Sequence, residues 1–474
     1  MRTLVMKFGG TSVGMTTGLT QLLSIVMYEY ERWDRLILVV SALEGVTDAL
    51  LEAARLAQLA NRRGYRRIVA TLRTRHLALI EHLPLGVNER IALQADIDRL
   101  LFDMLDTCQA LSDRPEKTSR QEAVDAIIGV GERLSARIVA ALLRQNDLRS
   151  VAIDGTEILI TDSIHGNATP NFALTRERIN TLLSPMLERR IVPVVTGFIA
   201  STTAGKQTTL GRGGSDLTAS VMAVCTDASE VWIWTDVDGL MSADPRDTDQ
   251  ARVVTQLSYS EAAELAYFGA RLLHTRMIAP LQERRIPLRV RNIFKPQSIG
   301  TLVSDFVESV PALKAVTLIN GLGMACAQTG GIGRLIATVD DAMFEVGGAH
   351  TDVIFSSQSS WQSFLAFVVP TSAGLDGLHS LELALDARAA QDEFLAKWAA
   401  RPVTILTIVG TRVNELHTLI AEIIASLAGI RLLALSQSPS NCSFSLVIDT
   451  GDAEDALERV HQVIVVPQGG RSTR

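Results

Sequence analysis

The chain has 474 residues, 47% hydrophobic and 20% charged, which is too long for a single core and too apolar for a disordered chain. With 52 acidic against 45 basic residues and a net charge of −7, a broad nucleic-acid-binding surface is not expected. Cys108, Cys225, Cys326 and Cys442 lie far apart and share no metal-ligand spacing with the eight histidines, so neither a disulfide framework nor a structural zinc site is expected.

The opening MRTLVMKFGG reaches glycines before an apolar leader develops, so no secretory signal is expected and the chain reads as cytoplasmic. Thr3–Met6 is a short apolar run ending at Lys7, followed by the Gly9–Gly10 loop. From Leu19 the apolar residues Leu22, Leu23, Val26, Met27 and Tyr30 recur at helical spacing. Arg35–Val40 is a second β-rich run, Ser41–Thr47 a loop, and Ala49–Ala60 a helix. Residues 66–111 and 119–145 read as helical. Strands return at Val151–Ile153, Ile191–Thr196, Val231–Thr235 and Leu288–Val290. Apolar strands alternating with amphipathic helices predict a mostly parallel sheet covered on both faces, closing near Gly300–Val303.

Beyond that point Val316–Ile319 and Val403–Leu406 each read V-T-apolar-apolar and lead into a glycine-containing turn and a helix. Ser357–Gln358–Ser359 and Ser436–Gln437–Ser438 follow in the two copies. The pattern predicts a repeated small α+β unit, with residues 371–400 as a helical end of the first. The apolar stretch Leu419–Leu435 is broken by Glu422 and Arg431, which argues against a membrane span.

Ligands of open parallel sheets collect beyond the carboxyl ends of the strands, so the loops there hold the candidate chemistry. Lys7-Phe8-Gly9-Gly10-Thr11-Ser12 offers a cation and two glycines whose amides can approach a phosphate closely. A glycine turn beside a solvated lysine reads equally well. No Walker A sequence occurs. Gly211-Arg212-Gly213-Gly214-Ser215-Asp216 precedes an apolar helix; Arg212 can clamp a carboxylate bidentately, or the segment is simply a well-capped loop–helix junction. Asp236-Val237-Asp238-Gly239 and Asp244-Pro245-Arg246 suit a nucleotide or metal neighbourhood, or a plain turn. Gly129 and Gly131 interrupt a helical pattern beside Glu132, which calls for a packing or ligand reason, although Glu132 by itself reads as a solvated helix residue. His274 reads as structural rather than as a base. The arginines from Arg62 to Arg75 read as a solvated helical face.

Taken together, Lys7–Ser12 (KFGGTS), Ser41–Thr47 (SALEGVT), Gly131–Ala136 (GERLSA), Thr161–Asp162, Gly197–Ala219, Thr235–Arg246 (TDVDGLMSADPR) and Phe268–His274 (FGARLLH) resemble the aspartate kinase family, in its order and spacing over residues 3–303. The resemblance implies a three-layer amino-acid kinase fold over 1–303. It also implies two ACT-like βαββαβ regulatory units, at 312–400 and 401–470. The implied reaction is transfer of the γ-phosphoryl of ATP to L-aspartate, giving 4-phospho-L-aspartate, the first step toward lysine, threonine and methionine. By the same resemblance Lys7 would neutralise the transferring phosphoryl and Asp216 would orient it, with Phe8, Gly9 and Gly10 at the phosphates. Arg212 would hold the α-carboxylate and Glu132 the ammonium of aspartate, with Ser41, Thr47, Gly213, Gly214 and Ser215 nearby. Thr235, Asp236, Met241, Arg246, Arg271 and Leu272 would line the nucleotide side. Mg²⁺ would be carried by the ATP phosphates, with no protein ligand assigned. The family further implies a homodimer or larger homo-oligomer and an amino-acid effector at the ACT-like units.

The chemistry fits these residue types. The acceptor carboxylate, with a pKa of about 3.9, is ionised at neutral pH and needs no general base. The obstacle is repulsion: two like charges about 4 Å apart cost about 4 kcal/mol at an effective dielectric near 20. A site for this reaction must therefore gather cations and N–H donors. The chain departs from the family pattern at Met241, where an aromatic is frequent, at Thr275, where proline is common, and at Arg271, often lysine. Both ACT-like turns are contracted, at Thr329–Gly333 and Thr411–Asn414, and Ser438-Pro439-Ser440-Asn441 replaces the usual Ser-x-Glu-x-Asn. Two alternatives stay open from sequence: an amino-acid sensor with little turnover, and another amino-acid kinase such as a glutamate kinase.

Overall fold

The computed structural model describes residues 1–113, 117–269, 272–306, 308, 310–326, 332–347, 353–360, 362–368, 377–390 and 398–465. The chain divides into two units. The first comprises Met1–Leu240, Val253–Ala263 and Arg271–Phe306, and the second comprises Met241–Arg252, Glu264–Ala270 and Val307–Arg474.

The first unit contains strands β1 (Thr3–Phe8), β2 (Arg35–Val40), β3 (Ser150–Ile153), β4 (Ile160–Thr161), β5 (Val192–Thr196), β6 (Ile199–Thr202), β7 (Gln207–Thr209), β8 (Glu230–Thr235), β9 (Gln256–Ser258), β10 (Leu288–Asn292) and β11 (Thr301–Ser304). Eight of them form one sheet in the order β3-β5-β2-β1-β8-β10-β11-β9. Every pairing is parallel except β10 with β11. In β1 only Lys7 escapes full burial, as expected of a central strand covered on both faces. Because β1 lies between β2 and β8, its carboxyl end opens where the sheet collects ligands. The expected parallel α/β sheet is thus present.

Helices over Thr16–Tyr30, Val46–Gln58, Arg62–Glu81, Val87–Asp113, Lys117–Ile128 and Val130–Gln145 supply most of the surrounding layers. The last of these buries Ile138, Leu142 and Leu143 almost completely. Each such side chain contributes about 1.5–3 kcal/mol relative to exposure. A separate small sheet, β4-β6-β7, lies within a stretch that sequence reads only as a glycine-rich motif. Its strands are short and rich in Ser and Thr, and they exist through pairing with one another. Among the described residues no helix is long and apolar enough to cross a membrane.

The second unit holds a six-stranded antiparallel sheet made of β12 (Ala312–Cys326), β13 (Val353–Gln358), β14 (Ser363–Phe367), β15 (Trp398–Thr411), β16 (Leu432–Gln437) and β17 (Ser443–Asp449). Its order is β13-β14-β12-β15-β17-β16. Helices follow at Ile332–Gly347, Gly377–Ala389, His417–Ser426 and Ala453–Val465, so each repeat runs strand–helix–strand–strand–helix. The closing strand expected in each βαββαβ unit is shared between the repeats. β12 and β15 pair along their whole length, from Ala312 opposite Thr411 to Cys326 opposite Trp398. The first part of β12, with Leu313 and Val316, packs beneath the second repeat against Leu406, Phe444 and Leu457. Its last part, with Leu322 and Met324, packs in the first repeat against Leu335, Leu365 and Leu381. The two repeats are therefore interleaved in space. Residues 371–376 and 391–397 of the expected helical stretch lie outside the described residues, and Trp398–Ala400 is strand rather than helix.

Candidate functional site

At the end of β1, Lys7 Nζ stands 2.7 Å from Asp216 Oδ1, and both side chains are largely enclosed. The contact is an ion pair rather than a well-aligned hydrogen bond, which leaves ammonium hydrogens free for another oxygen. A Cβ on Gly9 would sit in ordinary contact with Lys7 Nζ at 3.7 Å, whereas one on Gly10 would clash with the Ala42 carbonyl at 2.8 Å. Glycine at position 10 lets the first loop press against the second. The two sheet-end loops are tied together: Ser41 N donates to Phe8 O (3.2 Å) and Glu44 N to Gly10 O (3.2 Å). Ser41 opens the second loop and Thr47 lies in the first turn of the helix Val46–Gln58, both half-buried. Phe8 stacks on Trp234, ring centroids 6.2 Å apart, and the Trp234 carbonyl accepts from Gly9 N and Ser12 Oγ.

Glu132, in the first turn of the helix Val130–Gln145, is buried. Its Oε1 accepts from the Ala42 amide at 3.1 Å, while Oε2 has no hydrogen-bond partner. Burial pushes the carboxyl up to about 7, against the pull of the Ala42 amide. The glycines around it have a packing reason: a Cβ on Gly131 would meet Ala42 Cβ at 2.7 Å, and one on Gly129 would meet Gln207 Nε2 at 2.4 Å. Gly131 therefore lets this helix press against Ala42 and Val46, and Gly129 lets its start press against Gln207 and Ile199.

The Gly211–Asp216 segment forms the entry to the helix Gly214–Cys225. Gly213 adopts a left-handed conformation, φ +70°, with the His274 side chain 2.5 Å from where its Cβ would be. His274 Nδ1 accepts from the Arg276 amide (3.3 Å), capping the helix Thr275–Arg284. Burial holds its pKa below the usual range, and the charges of Arg276 and Arg212 add to the lowering. His274 thus occupies a structural position beside the turn. Ser215 packs against Gly197, and Phe198 fills the space beside Gly214. Arg212 is exposed and forms no ion pair among the described residues.

These elements bring Lys7, Gly9, Gly10, Ser41, Thr47 and Glu132 into one set of contacting loops, and join Lys7 to the Arg212–Asp216 turn through Asp216. Thr235 and Asp236 close β8, next to β1, with Thr235 Oγ1 donating to Asp236 Oδ1 (3.1 Å). Leu272 is half-buried in the first unit. Met241 and Arg246 belong to the second unit, where Arg246 is clamped on Asp244 at 2.5 and 3.0 Å. Arg271 lies outside the described residues. Sequence reasoning passed over Ala42 and Trp234, which act through their main-chain groups and so carry no side-chain signal.

In the second unit a cavity of about 220 Å³ is lined by Glu264, Phe268, Phe355, Ser438 and Ser443 among others. Glu264 accepts from Ser438 Oγ (3.1 Å) and Ser443 Oγ (2.6 Å). The contracted turn after β15 rests on the altered serine segment: Asn441 Oδ1 accepts from Asn414 N (3.0 Å) and Asn441 O from Val413 N (2.9 Å). The two departures from the family pattern are thus one packed feature. Residues 329–331 of the other contracted turn lie outside the described residues.

Comparison with known proteins adds the following. Residues 2–292 match the model of the amino acid kinase family, and residues 406–464 match an ACT domain. The bifunctional aspartokinase/homoserine dehydrogenase 2 of Arabidopsis thaliana is 31% identical over 476 residues, covering 96% of this chain and 50% of that protein. The chain thus spans about half the length of the plant relatives it matches. Lysine-sensitive aspartokinase 3 of Escherichia coli is 28% identical, covering 97% of this chain and 98% of that protein. Among solved structures, E. coli aspartokinase III in complex with aspartate and ADP (R-state) aligns with a TM-score of 0.80 at 25% identity, covering 98% of this chain and 100% of that one. The same enzyme in complex with lysine and aspartate (T-state) aligns with a TM-score of 0.78, covering 98% and 99%.

Proposed function

Because the chain belongs to the amino acid kinase family, we propose that it is an aspartate kinase, moving the γ-phosphoryl of ATP onto the side-chain carboxylate of L-aspartate to give 4-phospho-L-aspartate. The observation that carries this reading is Glu132: an enclosed carboxylate with one unpartnered oxygen, which the ammonium of an amino acid would satisfy. Arg212, exposed and without an ion-pair partner among the described residues, presents the complementary fork for an α-carboxylate. An acceptor held between them is an α-amino acid. The E. coli enzyme that aligns over 98% of this chain binds aspartate and ADP, which supports aspartate over glutamate.

Lys7 then meets the negative charge that gathers on the transferring phosphoryl, and Asp216 holds the ammonium at the sheet end. Gly9 and Gly10 are assigned to the phosphate oxygens beside Lys7. The acceptor carboxylate attacks already ionised, so the residues bind, orient and neutralise, and none removes a proton. Among the described residues no cluster of three or more His, Cys, Asp or Glu could hold a metal. Mg²⁺ is read as arriving on the ATP phosphates, where it would offset their charge. Thr235, Asp236, Met241, Arg246, Arg271 and Leu272 are assigned to the nucleotide, and Ser41, Thr47, Gly213, Gly214 and Ser215 to the acceptor.

We assign residues 1–303 to catalysis and 312–400 and 401–470 to regulation, with an amino-acid effector at the second unit and a homodimer or larger assembly. One solved neighbour binds lysine. An ATP-dependent hydroxamate assay tests the catalytic reading: aspartate should yield aspartyl hydroxamate and glutamate far less. Glutamate as the better acceptor, or no product with either, would overturn it. Titrating lysine and threonine into the same assay tests regulation. Light scattering gives the assembly state.

A further inference from the structure

Asp125 lies on the helix Lys117–Ile128, seven residues before Glu132, and is completely buried. A buried carboxylate is costly unless its oxygens are satisfied, and here the bonds run to two other segments of the chain. Oδ1 accepts from Thr209 Oγ1 at 2.7 Å. Oδ2 lies 2.7 Å from His165 Nδ1 and accepts from the Gly166 amide at 3.3 Å. The Asp125 carbonyl accepts from Gln207 Nε2 at 2.6 Å, and Gln207 Oε1 accepts from Arg133 Nη2, next to Glu132, at 2.8 Å.

Thr209 ends β7, three residues before Arg212. His165 and Gly166 belong to the loop between Asp162 and Pro170, and that loop seats the Arg212 turn. A Cβ on Gly211 would lie 2.9 Å from Asn167 Oδ1 and 3.0 Å from Gly166 O. Ala168 N donates to Thr209 O (2.9 Å). Arg276 locks the arrangement from the other side, donating to Asn167 Oδ1 and Leu210 O at 2.6 Å each and to Ala168 O at 2.8 Å. A single buried carboxylate thus ties the helix junction that precedes Glu132 to both segments that frame Arg212.

We propose that Asp125, bridged by His165, is a positioning residue that fixes the spacing between Glu132 and Arg212 and so the fit for the acceptor amino acid. This rests on the assignment of those two residues to the acceptor, made above. The physical reason is that an α-amino acid has a fixed ammonium–carboxylate separation. Displacing one anchor keeps the acceptor from satisfying both of its charged ends at once, which weakens its binding.

The test uses the full-length chain with His165→Ala, His165→Asn and Thr209→Val, which trim the network without unpairing Asp125 entirely. Hydrogen exchange of the peptides covering 162–170 and 207–214 is compared with that of 3–13, alongside KM for aspartate and for ATP. His165→Ala and Thr209→Val should speed exchange in the first two peptides only. They should raise the aspartate KM about tenfold, the size of one lost hydrogen bond to a charged group, with the ATP KM and kcat nearly unchanged. In His165→Asn the side-chain amide can still donate to Asp125 and should restore both. Unchanged exchange at 207–214, equal shifts in the two KM values, or no rescue by asparagine would overturn the proposal. If the wild type phosphorylates no aspartate at all, the functional assignment fails, while the exchange arm still decides whether this network holds the Arg212 turn.

Discussion

Lys7 on a sheet strand and Asp216 on a helix start are 209 positions apart in sequence, yet their charged atoms stand 2.7 Å apart. The pair forms because β1 is central and the helix Gly214–Cys225 begins beside its carboxyl end. Both side chains are mostly enclosed, so neither charge is fully screened by water. Lys7→Ala is expected to lower kcat in the hydroxamate assay by a factor of roughly 10²–10³ or more, as for other preorganised charge stabilisers. Asp216→Asn keeps the shape while removing the counter-charge, and should cost less, roughly tenfold to a hundredfold. Lys7→Ala turning over at the wild-type rate would exclude Lys7 from the reaction.

Glu132 sets a conflict between stability and binding. Burial raises its pKa to about 7, from 4.5 for an ordinary glutamate. Below pH 4.5 the carboxyl is protonated in folded and unfolded chains alike. As pH rises toward 7 the unfolded chain ionises first, so the ligand-free protein loses stability over that window, about 3 kcal/mol in all. Binding an ammonium requires the ionised form, so aspartate KM should fall as pH rises through about 7. Denaturation midpoints and aspartate KM measured from pH 5 to 8 should therefore fall together, stability being lost as affinity is gained. Glu132→Gln should flatten both trends, weaken aspartate binding roughly tenfold to a hundredfold, and leave neutral-pH stability equal or improved. A wild-type KM for aspartate that does not change across pH 7 would contradict the assignment.

The parts legible from sequence are those whose burial is written into consecutive residues. β1 and β2 read correctly because central parallel strands are unbroken apolar runs, and Lys7 marks the strand end by being the one charge in its run. Gly129 and Gly131 point in sequence to a packing or ligand reason, but Glu132 itself reads as a solvated helix residue, and its burial comes from the packing those glycines permit. Illegible parts depend on non-local pairing. β6 and β7 are too polar to stand out, and β12 and β15 extend well past their V-T-apolar-apolar starts because each is the other's partner. Asp125 and His165 look ordinary in sequence, one a helix aspartate and one a loop histidine. Their importance lies entirely in being brought within 2.7 Å.

Gly213 and Gly205 both have positive φ, +70° and +76°, but only the first is crowded. A Cβ on Gly205 meets nothing within 4 Å, whereas on Gly213 it would fall 2.5 Å from His274 Cβ. Gly205→Ala should cost only the left-handed strain, about 1–2 kcal/mol. Gly213→Ala adds overpacking worth about 1–3 kcal/mol and pushes on the Arg212 turn. Denaturant titration should rank the two in that order, and only Gly213→Ala should raise the aspartate KM. Equal destabilisation would mean that His274 yields freely and does not support the turn.

Asn441 makes the matching prediction for the second unit. Its φ is +60°, a conformation asparagine tolerates better than most residues, and its side chain and carbonyl together anchor Val413 and Asn414 after the left-handed Arg412. Asn441→Gly keeps the backbone shape and loses one hydrogen bond, which should cost about 1 kcal/mol. Asn441→Val loses the bond and forces a β-branched residue into the left-handed region, so the cost should rise to about 2–4 kcal/mol. Hydrogen exchange at Val413 and Asn414 should quicken in both variants, more in the valine, while phosphorylation measured without effector stays at the wild-type rate. If valine is tolerated as well as glycine, the turn after β15 is held by something other than Asn441, and the contracted turn and the altered serine segment are separate departures after all.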